Sequence, residues 1–145
     1  MAVTVSWYDS FAVNKSNGAI DLDSDTFKVA LMTSSHAFNA AHSAWADVSA
    51  NEIAAGNGYT AGGQALTSVT FTQTAGVATF DADNPEWIAS GGAMATSSSA
   101  VVYSATGGEL VCSIDFGEDK TPEDGAKLKI TIADSGLFYE TPPGG

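Results

Sequence analysis

Cysteine is almost absent from this sequence of 145 residues. The single cysteine, Cys112, cannot form a disulfide within the chain, and a zinc site built from several thiolates is equally impossible. The chain must therefore fold without cross-links of either kind. A single domain of this length buries about 68–70% of the surface of its unfolded chain, which is enough for a self-sufficient core.

Positive charge is also scarce. The chain has 5 lysines and arginines against 17 aspartates and glutamates, so its formal net charge is −12. Binding to nucleic acid depends on cationic side chains that replace counterions on phosphates, and anionic membrane surfaces attract the same side chains. We therefore expect no nucleic-acid partner and no membrane partner, and we expect a partner surface that is basic or neutral.

Long apolar runs are missing as well. No segment approaches the ~20 apolar residues that a membrane-spanning helix needs. The amino-terminal sequence MAVTVSWYDSF has neither the basic region nor the apolar region of a secretory signal. The sequence predicts a protein that is made in the cytoplasm and remains soluble.

The sequence does contain many short runs of β-forming residues, which are separated by turns rich in glycine, serine and threonine. Residues 27–33 alternate, with Phe27, Val29 and Leu31 on the one face that we expect to be buried. Two hairpins are predicted, and the first has Gly76 in the left-handed conformation. The remaining predicted strands are residues 3–7, 68–72, 77–81, a strand beginning at Trp87, and residues 98–104, 109–116 and 126–133.

These patterns predict an all-β chain of seven to nine strands with one short helix. The helix is expected at residues 49–56, because Ser49 and Glu52 have capping-box spacing and Gly56 can end it. Residues 1–140 are expected to form a single β domain, and residues 141–145 a flexible tail. A two-layer β-sandwich, of jelly-roll or immunoglobulin-like type, is the simplest way to bury so many one-faced strands.

Three aspartates at alternate positions, Asp21, Asp23 and Asp25, suggest a calcium loop. An EF-hand loop would need glycine at its sixth position and a bidentate glutamate at its twelfth, where this chain has Thr26 and Met32. A helix should also follow, and a strand pattern follows instead. We therefore interpret the segment as a solvated turn, with an irregular calcium site as the weaker alternative.

The other candidate sites have simpler explanations. His36 and His42 lack a recognisable partner for base catalysis, and six residues of strand would separate them by about 20 Å unless a loop brings them together.

Cys112 lies on the same face of its predicted strand as the apolar residues Leu110, Ile114 and Phe116, so we expect its thiol to be in the core. The acidic residues of segment 117–125 resemble a glycosidase pair only loosely and predict a mobile solvated loop. Five aromatic residues could form a sugar-stacking platform, but aromatic residues in a small β domain are more often part of the core: Trp7, Trp45, Tyr59, Trp87 and Tyr103.

Four blocks of this sequence resemble the recurring blocks of a family of small structural proteins from the virions of tailed bacteriophages. They are DTFKVALMTSS at residues 25–35, DVSANEI at 47–53, GYTAGGQ at 58–64 and IDFGEDK at 114–120, and they follow the family's order. The resemblance spans residues 20–133. It implies a virion component that is not an enzyme, and no cofactor is expected.

Two places in the particle agree with this resemblance. One is the outside of the head, where a decoration or cement protein clamps subunits of the major capsid protein, often as a homotrimer. The other is the tail, as a tail, baseplate or fibre component. The net charge of −12 disfavours a place inside the head against packaged DNA. We favour the head exterior, because a cement protein must be small and fold independently.

The amino-terminal residues 1–11 carry apolar side chains that suit such an interface. As an arm, the segment could add a strand to a neighbouring subunit or pack aromatic rings on it. Alternatively, it is the first strand of the sandwich. A carbohydrate- or receptor-binding module and an enzyme are the alternatives from other functional classes. The predicted partner-binding residues are Val3, Val5, Trp7, Tyr8 and Phe11.

Overall fold

The computed structural model of the protein describes residues 4–133 and 136–140. Its one α-helix in this part of the chain, α1, is Asp9–Asn17, and two 3-10 helices are Trp45–Asp47 and Ser49–Asn51. The predicted tail at 141–145 lies outside the described residues. The strands are β1 Thr4–Trp7, β2 Phe27–Met32, β3 Gln64–Ala65, β4 Thr70–Thr74, β5 Val77–Asp81, β6 Glu86–Ile88, β7 Ser97–Ser104, β8 Leu110–Lys120, β9 Lys127–Lys129 and β10 Phe138–Glu140.

Five strands form an antiparallel main sheet in the order β1-β8-β7-β2-β3. Strands β10, β5 and β4 form a second sheet, and β6 pairs with β9. Side chains from all three sheets share one core. In it, the rings of Phe27 and Phe80 meet edge to face with centroids 5.0 Å apart. The predicted all-β, sandwich-like fold with a short helix is confirmed, with ten strands in the described residues instead of seven to nine.

Both faces of β2 are buried, although its alternation predicted only one buried face. Phe27, Val29 and Leu31 lie in the main core as predicted, but Ala30 and Met32 lie in a second apolar cluster on the opposite face of the main sheet. Segment 33–63, which we call the covering segment, contributes Val48 to that cluster and packs Trp45 against it, whereas its Ile53 and Tyr59 lie in the main core. The members of the cluster are Tyr8, Ala30, Met32, Val48, Val101, Tyr103 and Leu110.

The predicted position of the helix is wrong. Residues 49–51 form only one turn of 3-10 helix, and the side chain of Glu52 binds Tyr59 and Gly62 instead of capping a helix. The helix lies at α1, which ends at Gly18 in the left-handed conformation. Sequence periodicity does not reveal α1 because Phe11 is its only buried residue. No helix within the described ranges has the length and apolarity needed to span a membrane.

The first predicted hairpin is confirmed. Strands β4 and β5 are joined through Ala75 and Gly76, whose φ angles of 53° and 85° are both left-handed. The predicted acidic loop at 117–125 is partly wrong, because β8 continues through Glu118 to Lys120, where it pairs with Ser97 of β7. Strand β9 is also shorter than the predicted strand 126–133.

Candidate functional site

The carboxylates of the acidic turn bind groups of the turn itself. Asp21 Oδ1 accepts hydrogen bonds from the backbone N–H groups of Asp23 at 3.0 Å and Ser24 at 3.3 Å. Asp25 Oδ2 accepts from the Asp21 N–H and from the Ser104 hydroxyl, both at 3.0 Å. The Ser24 side chain, followed by the Asp23 N–H, lowers the pKa of Asp21. These hydrogen bonds stabilise the turn, and the bond from Ser104 joins it to the end of β7.

The structure does not assemble these three aspartates into a metal centre. Within the described residues, no group of three or more histidine, cysteine, aspartate or glutamate side chains could hold a metal ion. Calcium also prefers six to eight oxygen ligands. The geometry therefore agrees with a hydrogen-bonded turn at Asp21, Asp23 and Asp25.

The covering segment brings His42 close enough to His36 to affect the pKa of His36. His36 is half-buried, and its Nε2 lies 3.4 Å from Oγ of Ser113 on β8. Burial lowers the pKa of His36, and the charge of His42 lowers it further. A Ser–His pair needs a third group that orients the imidazole. The neighbouring Asp115 instead accepts a hydrogen bond from the Gly117 N–H at 2.9 Å, so no triad is formed here.

The aromatic residues are dispersed and do not form one sugar-binding platform. Trp87 and Tyr59 are buried in the main core. Trp45 stacks on Tyr103 at 4.4 Å with an interplanar angle of 6°, so each ring covers one face of the other. Trp7 lies apart from these residues, against Phe11. Cys112 is buried in the main core, as predicted.

Glu118, near the end of β8, does not have the properties of the acid in a glycosidase pair. A general acid in such a pair has a raised pKa. Glu118 instead binds Lys120 at 2.7 Å, and this hydrogen bond and charge lower the pKa of Glu118. Glu86 likewise binds Lys127 at 3.2 Å. Both glutamates therefore lie in surface ion pairs.

Sequence reasoning missed a polar network beneath the covering segment. Glu52 Oε2 accepts hydrogen bonds from the Tyr59 hydroxyl and the Gly62 N–H, both at 2.6 Å. The Tyr59 hydroxyl in turn accepts from the Leu31 N–H at 3.0 Å, and Tyr103 donates to the Gly62 carbonyl at 2.6 Å. Burial raises the pKa of Tyr59 and of Tyr103. The sequence signal for this network is that DVSANEI, which contains Glu52, occurs together with GYTAGGQ, which contains Tyr59 and Gly62.

The predicted partner-binding residues divide into buried and exposed ones. Val3 lies outside the described residues. Tyr8 and Phe11 are buried within the chain's own clusters, and their assignment to an interface stays a prediction. Val5 and Trp7 of β1 remain 45% and 36% exposed. Of the two interpretations of residues 1–11, the described part agrees with a first strand, since Thr4–Trp7 pairs with β8.

Two clefts adjoin Val5 and Trp7. The first has a volume of about 490 Å³ and lies against Val5 and β8 and β9. The second, of about 510 Å³, lies between Trp7, α1 and β10. The clefts share Gly136 and Leu137, so they form one continuous surface that we call the β1–β10 side. Trp7 also contacts Phe138 of β10 edge to face, at 5.6 Å.

Comparison with protein-family models, with curated proteins and with solved structures finds no significant match to the chain.

Proposed function

We propose that this chain is a non-enzymatic structural protein of a tailed-phage virion, and specifically a decoration protein that binds major capsid protein subunits on the outside of the head. The observation that carries the proposal is the β1–β10 side, an apolar surface beside an edge strand. Covering an apolar surface of this kind with another protein is favourable, because it removes apolar area from water. Three further observations support the proposal.

The first is the structural meaning of the phage-like sequence blocks. Glu52 belongs to DVSANEI, Tyr59 and Gly62 to GYTAGGQ, and Leu31 to DTFKVALMTSS, and all four meet in the polar network. Residues that are far apart in sequence but share one network must occur together if the covering segment is to hold. The resemblance therefore concerns the central sheet and its cover, which supports a common fold with the phage family.

The second is charge. The net charge of −12 would be repelled by packaged DNA, whereas it is compatible with the outer surface of a head. Negative charge also keeps free subunits soluble while they accumulate for assembly.

The third is the chemistry of the polar residues. His36 has a lowered pKa and no orienting carboxylate, and Glu118 is held as a carboxylate by Lys120. Neither arrangement among the described residues suits nucleophilic or general-acid catalysis. A protein that acts by burying surface needs no such group.

The proposal can be tested with phage heads that lack this protein. Purified chain is added to such heads, and bound protein is measured after sedimentation. Saturable binding in a simple ratio to the major capsid protein is expected. The Tyr139→Lys variant should bind more weakly, because Tyr139 is 61% exposed on β10 beside the second cleft. Ile88→Lys is the matched control, since Ile88 is 53% exposed on β6 and lines neither cleft.

Binding to isolated tails with none to heads would move the protein to the tail, and binding to neither would contradict a virion role. Equal loss of head binding in the Tyr139→Lys and Ile88→Lys variants would contradict the assignment of the β1–β10 side.

A further inference from the structure

The hydrogen bonds between β1 and β8 determine which backbone groups of β1 point toward its free edge. The Tyr8 N–H donates to the Val111 carbonyl at 3.3 Å, in register with the pairs Ser6–Ser113 and Thr4–Asp115. Antiparallel strands bond at alternate residues, so the backbone groups of Val5 and Trp7 point away from the sheet. Within the described residues, no hydrogen bond to another segment satisfies these outward groups.

The strand β1 also differs in charge from the other edge strands. Strands β6, β9 and β10 contain glutamate or lysine, and charged side chains discourage pairing with another chain. Strand β3 has only two residues, and β4 exposes threonine and glutamine. Among the described edges, β1 alone combines an uncharged sequence, TVSW, with large exposed apolar side chains. In a chain with a net charge of −12, self-association requires an uncharged surface of this kind.

We propose that a second copy of this chain pairs antiparallel with β1, about a two-fold axis at Ser6. In this register Val5 of each copy lies opposite Trp7 of the other copy, and the Ser6 residues of the two copies lie opposite each other. The outward N–H and C=O groups of Val5 and Trp7 then bond reciprocally, giving about four hydrogen bonds. Both side chains fall on the same face, where β-branched and aromatic cross-strand pairs are favourable. The two main sheets become one continuous sheet.

The size of the contact sets the expected strength. A stable interface buries about 1,000 Å² or more, and two four-residue strands fall short of that area. The pairing is therefore weak and depends on concentration. A closed trimer needs a head-to-tail contact instead of this self-complementary one. The inference does not depend on the proposed place in a virion.

Cross-linking tests the register directly. Residues opposite each other at a non-hydrogen-bonded position have Cα atoms about 4.5 Å apart, within reach of a disulfide. The Ser6→Cys variant of the full chain should form a disulfide-linked dimer under a glutathione redox buffer. The Val5→Cys variant should not, because Val5 faces Trp7 of the other copy. The native thiol does not interfere, because Cys112 is buried and its pKa is raised to about 12.

Sedimentation velocity tests the association itself. From about 1 μM to about 500 μM, the wild-type mass should rise toward that of a dimer. The Val5→Pro variant should remain a monomer and keep its pairing with β8, because the N–H that proline removes points away from β8. Val5→Lys should also remain a monomer, whereas Ile88→Lys, the same change on another edge strand, should associate like the wild type.

A wild-type chain that stays monomeric throughout this range would overturn the proposal, as would a trimer as the only assembly. Equal cross-linking of the Ser6→Cys and Val5→Cys variants would overturn the register. None of these results would affect the capsid proposal, which depends on binding to phage heads.

Discussion

Tyr59 and Glu52 are joined by a hydrogen bond of 2.6 Å between the phenol and the carboxylate. The same phenol accepts the Leu31 N–H, and the same carboxylate accepts the Gly62 N–H. One pair of side chains thus connects β2 to two parts of the covering segment. This pair therefore attaches the covering segment, which has little regular secondary structure, to β2.

Replacing Tyr59 with phenylalanine should destabilise the protein by about 2 kcal/mol, because the buried Leu31 N–H and the Glu52 carboxylate both lose a partner. The free energy of unfolding in urea measures the effect. Tyr139→Phe is the matched control, since Tyr139 is largely exposed and its change should be within about 0.5 kcal/mol of zero. Equal stability of the two variants would show that the network does not fasten the cover.

Gly63 should not tolerate even a methyl group. Its φ is +83°, and a Cβ placed there would overlap the Val29 carbonyl and approach the Ala30 Cα to 2.8 Å. Gly63→Ala should therefore cost roughly 3 kcal/mol or more. Gly76→Ala is the control, because Gly76 has a φ of +85° but no heavy atom near a Cβ. It should lose only about 1 kcal/mol from backbone strain. Similar melting temperatures for the two variants would contradict the close packing of residues 62–64 on β2.

The sequence predicted features that depend on one strand or one turn. The alternation of Phe27, Val29 and Leu31 identified the core face of β2, and Gly76 identified the turn of the first hairpin. Each of these signals comes from residues that are adjacent or alternate in the chain. Local physics is sufficient in such cases.

Features that depend on distant residues could not be predicted in this way. Met32 is buried because residues 33–63 fold over it, and alternation within β2 carries no information about that cover. Glu52 matches a helix-capping pattern, but its carboxylate accepts a hydrogen bond from Tyr59, seven residues later. The β1–β10 side likewise depends on the contact between Trp7 of β1 and Phe138 of β10, although 130 residues lie between them in the sequence.

The stability of the cover should depend on pH through His36. Its pKa in the folded protein is lowered below the ordinary value of 6.5, chiefly by burial. The unfolded chain therefore binds a proton more readily, so stability is complete above about pH 6.5 and falls as the pH drops through the folded pKa. The melting temperature of the wild type should fall more steeply from pH 7 to about pH 5 than that of the His36→Gln variant. Parallel curves for the two proteins would contradict this role of His36.

Calcium should not stabilise the protein. The carboxylates of Asp21 and Asp25 already accept backbone and hydroxyl hydrogen bonds within the turn. A ligand that binds only the folded state raises the melting temperature, so millimolar Ca²⁺ and then EDTA should leave it unchanged. The Asp21→Asn variant should behave similarly, because an asparagine oxygen can accept the same bonds. A rise with Ca²⁺ that Asp21→Asn abolishes would establish the calcium alternative.

The decoration proposal is tested most directly by the copy number of this chain in purified phage particles. Quantitative mass spectrometry gives that number relative to the major capsid protein. The account predicts a ratio near one or a simple fraction of it, as expected for a protein that repeats with the capsid lattice. A few copies per particle would contradict the decoration role in favour of the tail, and absence from the particle would contradict the virion role altogether.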